Sequence, residues 1–162
     1  MLPRSLIALA LFGCSAPNGA ASRCIKPGDA SVGPKATADA GPFTIRLPSA
    51  DSAIPVPSID SKTGGWTGRG HRITYDYGSY SNPLDSLSGL LDVRRCIAEI
   101  GGHPALIVTA RDSVGRSIVA GHWARLHDNP MGPVSLTMYG VATDSLGRVE
   151  LLSALRDVHF KP

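Results

Sequence analysis

The stretch Val93-Arg-Arg-Cys-Ile-Ala-Glu-Ile-Gly-Gly-His-Pro-Ala-Leu-Ile-Val-Thr-Ala110 holds two strand-forming runs, Val93 to Ile100 and Pro104 to Ala110, around the pair Gly101-Gly102. Aliphatic and β-branched runs joined by a glycine pair are the signature of a β-hairpin. The pattern continues downstream. Ser117 to Leu126 and Val134 to Ala142 are two more such runs, set apart by the turn-forming segments Asp112 to Gly115 and Asp128 to Pro133. Connections this short favour antiparallel neighbours, so the four runs are expected to form a meander.

Working upstream, Phe43-Thr-Ile-Arg-Leu47 alternates apolar and polar residues and stops at Pro48. It reads as a half-buried strand with Phe43, Ile45 and Leu47 inward. His71-Arg-Ile-Thr-Tyr-Asp-Tyr77 alternates again, with Ile73, Tyr75 and Tyr77 on one face and Arg72, Thr74 and Asp76 on the other. Between these two runs, Pro55, Pro57 and Gly64-Gly65 suggest irregular chain with Trp66 as an anchor. Gly65-Trp-Thr-Gly68-Arg-Gly70 is glycine-rich, but a phosphate loop needs a strand before it and a helix after it, so a turn is expected.

Downstream the period changes. Asp144 or Ser145 is a helix N-cap candidate, and Val149, Leu152 and Leu155 recur at helical spacing, with Leu151 beside them and Arg148, Glu150 and Arg156 expected outward. Val158-His-Phe160 follows as a short closing strand. The expected architecture is therefore α+β: one antiparallel sheet of about six strands, largely a meander, with a C-terminal helix packed across it. It occupies residues 43–162 as a single domain.

Residues 1–13 read as an export signal, with Arg4 as the positive region and Leu6 to Phe12 as the apolar run. That run falls well short of the roughly 20 apolar residues a membrane-spanning helix requires. Leu11-Phe12-Gly13-Cys14 resembles the bacterial lipobox. The resemblance implies a diacylglyceryl group on the Cys14 sulfur, further acylation with palmitate, and cleavage that leaves Cys14 as the mature amino terminus. Ser15, rather than Asp, follows Cys14; by the same resemblance this implies an outer-membrane destination where the host has one. The other reading is an ordinary secretory signal cut near Ala20-Ala21.

Both readings remove Cys14 from the pool of free thiols and leave Cys24 and Cys96, an even pair in an oxidising compartment. A Cys24–Cys96 disulfide would close a loop of roughly 70 residues, worth about 4 kcal/mol on the loop-entropy model. Residues 14–42 are dominated by Ala, Gly, Pro, Ser and Lys and are expected to form a flexible, lipid-anchored tether.

The formal net charge of +3 includes Arg4, and the signs are well mixed. Neither nucleic acid nor an anionic bilayer face is implied as a partner. The five histidines form no zinc-ligand spacing, so no metal or cofactor is expected. No nucleophile elbow is present, and no residue is singled out as catalytic. A triad of His71, Asp76 and a serine would require those groups to converge. Arg72, Tyr75, Asp76, Tyr77, Tyr80 and Asn82 interleave aromatic and polar groups, the composition of a recognition surface. The competing reading makes these tyrosines core residues and the following loop self-bonded.

The run Phe-Thr-Ile-Arg-Leu-Pro, then Asp60-Ser61, then Asp76-Tyr77-Gly78-Ser-Tyr80-Ser81-Asn82, a sheet and a closing helix and strand resembles uncharacterised bacterial secreted lipoproteins. The architecture is also similar to that of PsbP/Mog1-type domains. The resemblance implies a binding or accessory role in the cell envelope, with an envelope protein or a small ligand as partner. A small-molecule or lipid carrier with a cavity between sheet and helix is the first alternative. An enzyme using His and Asp groups near residues 69–85 is the second.

Overall fold

The structure is a computed structural model and describes residues 33–162. The expected signal, Cys14 and Cys24 lie outside the described residues. Among the described residues, ten strands and one helix follow in the order β1 (Lys35–Asp39), β2 (Phe43–Pro48), β3 (Ser52–Ile54), β4 (Lys62–Gly68), β5 (His71–Gly78), β6 (Leu91–Ile100), β7 (His103–Arg111), β8 (Ser117–Asn129), β9 (Gly132–Ala142), α1 (Ser145–Arg156) and β10 (Val158–Phe160).

The expectation of one sheet with about six strands is overturned. Among the described residues the strands form two sheets, a three-stranded one in the order β1-β2-β10 and a seven-stranded one in the order β3-β4-β5-β9-β8-β7-β6. Every pairing is antiparallel. The meander from β6 to β9 holds, but β5 pairs with β9 rather than with β6. The chain from β5 to β6 therefore crosses the outer face of the large sheet to reach its far edge.

Three strands escaped the sequence reading for separate reasons. β1, inside the segment read as tether, has only the small Ala36 and Ala38 on its apolar phase, too little surface to stand out; it is held by its ladder to β2 and by Lys35, whose Nζ lies 2.5 Å from Asp157 and 2.6 Å from Ser153 Oγ at the end of the helix. β3 is three residues long and, among the described residues, pairs with β4 alone. β4 contains Gly64-Gly65, which mimics a turn. Both positions are in fact crowded: a Cβ on Gly64 would lie 2.7 Å from the Tyr75 ring, and one on Gly65 would lie 2.5 Å from the Ile73 carbonyl. The glycines are there for space, and the turn itself sits at Arg69-Gly70.

The core lies between the large sheet on one side and the small sheet and helix on the other. Phe43, Ile45 and Leu47 of β2 are buried as alternation predicts, and each contributes about 1.5–3 kcal/mol by leaving water. They meet Trp66, Ile73 and Tyr75 of the large sheet, Leu136 and Met138 of β9, and Leu151, Leu152 and Leu155 of α1. Asp144 caps the helix, accepting a hydrogen bond of 2.7 Å from the Gly147 amide. Glu150, expected outward, is 6% exposed and belongs to the buried face.

Candidate binding groove

Strand alternation splits the four nominated residues on β5 between two faces, and Tyr80 and Asn82 fall in the loop after it. Tyr75 and Tyr77 point to the core side of β5, while Arg72 and Asp76 point to the outer side. Tyr75 packs edge-on against Phe43 at 5.2 Å and beside Trp66 at 5.4 Å, so it is a core residue. Tyr77 is half-buried at the strand end, its hydroxyl 3.3 Å from His127 Nδ1. Burial raises both phenol pKa values. Tyr80 stands 64% exposed in the loop after β5. Together with Tyr77, Ile59, His127 and Met131 it lines a shallow groove of about 500 Å³.

Asn82 turns out to anchor the crossing chain. Its Oδ1 accepts from the Leu84 amide at 2.8 Å, which supports the left-handed backbone of Leu84 at φ 61°. Its carbonyl accepts from Thr137 Oγ1 at 2.6 Å, and the same hydroxyl oxygen lies 2.8 Å from His122 Nδ1. Because the Thr137 proton goes to Asn82, the ring of His122 donates to Thr137 from Nδ1. Burial lowers the His122 pKa, opposed by the nearby charge of Asp85. Leu84 then packs on Val108 and Ala120, a small second core on the outer face.

His71 and Asp76 do not meet. His71 faces the core and bonds through Nε2 to Asp51 at 2.8 Å, with both side chains almost fully buried. Gly68 makes room for this pair, since a Cβ there would overlap the Asp51 carboxylate and crowd the His71 ring. Among the described residues nothing bonds to His71 Nδ1, so none of their hydroxyls is held there as a nucleophile. Among the described residues no group of three His, Cys, Asp or Glu side chains could hold a metal ion. Among them, too, no helix is long and apolar enough to cross a membrane. Cys96 sits half-buried on the core side of β6, and its expected partner Cys24 lies outside the described residues.

Of the nominated residues, Arg72 is the one that borders the larger groove. This groove measures about 650 Å³ and runs along the outer face between β5 and β9. Arg72, Thr74, Arg116, Tyr139 and Val141 line it. Alternation along β9 explains the lining: Leu136, Met138, Gly140 and Ala142 face the core, which turns Tyr139 and Val141 outward. The Arg116 guanidinium is oriented by Asp112, 2.6 Å from Nε, with Asp112 itself fixed by the Val114 and Arg116 amides. Burial and the Asp112 charge raise the Tyr139 pKa, with Arg116 opposing them, so the hydroxyl stays protonated at neutral pH.

Sequence reading missed Arg116, Tyr139 and Val141. The available signal was parity, because Tyr139 falls on the polar phase of a run whose other phase is wholly core. The space beneath Tyr75 is filled by Phe43 and Trp66, and both grooves open at the surface. In comparisons with known proteins, the chain matches no family model, no curated protein and no solved structure.

Proposed function

We propose that the protein is a lipid-anchored binding protein of the bacterial cell envelope, without chemistry of its own. It takes a ligand that joins an anionic group to a flat apolar surface. The observation that supports this reading is the groove between β5 and β9, whose lining combines Arg72 and Arg116 with Tyr139 and Val141. Guanidinium groups favour carboxylate and phosphate partners, and Tyr139 offers a rigid face for stacking. Anchoring rests on the lipobox resemblance at Cys14. One acyl chain holds a protein to a membrane only marginally, whereas the two or more on a lipidated cysteine anchor it firmly. A Cys24–Cys96 disulfide would keep the domain near the bilayer.

Two measurements test the two halves of the proposal. Detergent-phase partitioning of the full chain shifts to the aqueous phase in Cys14→Ala; unchanged partitioning rejects the anchor. The aromatic sulfonate 8-anilinonaphthalene-1-sulfonate, titrated by fluorescence, binds wild type and loses roughly tenfold in affinity in Arg72→Ala, the value of one charge-assisted hydrogen bond. Wild-type affinity in both Arg72→Ala and Tyr139→Ala rejects the groove.

A further inference from the structure

We propose that the outer edge of β6 is a homodimer interface, at which two copies of this chain pair antiparallel about a two-fold axis through Ile97. β6 ends the seven-stranded order, with β7 as its ladder partner among the described residues. It is the long edge of the large sheet, and it carries exposed apolar groups: Leu91 is 59% exposed, Val93 38% and Ile97 52%. An edge of this kind presents a row of backbone donors and acceptors ready to pair with another strand.

The register follows from the charges. A bulge between Leu91 and Arg94, with Asp92 at φ 52°, ends the regular ladder, so the straight part of β6 is Arg94 to Ile100. Its midpoint is Ile97. Arg95, Ile97 and Glu99 pair in turn with Val108, Leu106 and Pro104, which places all three on the outer face. A two-fold axis at Ile97 sets Ile97 against the same residue of the second copy. It sets Arg95 against Glu99 and Glu99 against Arg95, while Cys96 and Ala98, which pack towards the core, come opposite each other on the other face. The whole regular stretch is used, and every charge on that face is matched.

Neighbouring registers fail this match. With the axis at Cys96, Arg95 faces Ile97; with the axis at Ala98, Glu99 faces Ile97 and Arg95 faces Gly101. Charged residues on an edge strand ordinarily discourage pairing. Here their signs are arranged so that one self-pairing satisfies them and the shifted ones do not, as an isologous interface requires.

Charge reversal tests the register. Sedimentation equilibrium of the full chain in density-matched detergent, at about 100 µM to suit an interface at the small end of the size range, gives a dimer for wild type. Arg95→Glu and Glu99→Arg each turn two attractive cross-strand pairs into repulsive ones and weaken the dimer by roughly tenfold or more. Both positions are exposed, so circular dichroism of each variant stays that of wild type. Mixing the two variants restores association, because every Glu then faces an Arg, and the double variant Arg95→Glu, Glu99→Arg dimerises alone. A monomeric wild type, single variants that stay dimeric, or a mixture that fails to associate overturns the proposal.

Discussion

At the scale of the residue, His122 shows how position changes a side chain's role. Its neighbour Trp123 fills the core with no exposed surface, while His122 is 9% exposed on the opposite face beneath the crossing chain. Burial lowers the His122 pKa, so the unfolded chain binds its proton more readily than the folded one. Stability from this group is therefore complete above the unfolded value of about 6.5 and declines as pH falls below it. The melting temperature of wild type is expected to fall more steeply between pH 7 and pH 5 than that of His122→Gln. Identical slopes in the two proteins would show that His122 is not the group responsible. Its role was unreadable in sequence, because its partner Thr137 lies 15 residues away and Thr137 in turn bonds Asn82, 55 residues from it.

At the scale of the element, most strands and the helix were legible because their periodicity is local. β2, β5, the four strands of the meander, the cap at Asp144 and the closing β10 all stand near their expected places. β4 was not legible, since Gly64-Gly65 carries a turn signal when the reason for glycine is the closeness of Tyr75 and Ile73 across the ladder. Gly65→Ala is accordingly expected to destabilise the protein by about 1–3 kcal/mol, the cost of overpacking against backbone that cannot move aside. Urea denaturation measures it, and a midpoint equal to wild type would mean that β4 is not packed this way. The candidate groove was half legible: Arg72 was named, but Arg116 and Tyr139 come from the turn after β7 and from β9.

At the scale of the whole molecule, one core joins the two sheets. Phe43 of the small sheet touches Tyr75 of the large one and the Phe160 ring of β10 at 6.4 Å, and Phe160 in turn meets Trp123 at 6.0 Å. The two sheets should therefore unfold together. Far-ultraviolet circular dichroism and tryptophan fluorescence are expected to report one coincident transition. Phe43→Ala should lower its stability by about 3–5 kcal/mol while keeping it single. Two separated transitions would show that the small sheet is an independent unit.

Composition and periodicity alone determined the class of element along most of Phe43 to Phe160, the inward phase of each strand and the helix start, because these depend on neighbours a few residues apart. The sequence also carries the lipobox-like Leu11 to Cys14 and the count of three cysteines. Tertiary structure decided the pairing of β5 with β9, the separation into two sheets, the partner of His71 and the groove that Arg72 and Arg116 help to line. Each of these depends on which strands lie side by side. That choice is made by fitting Phe43, Tyr75 and Leu152 into one core, and no local pattern encodes it.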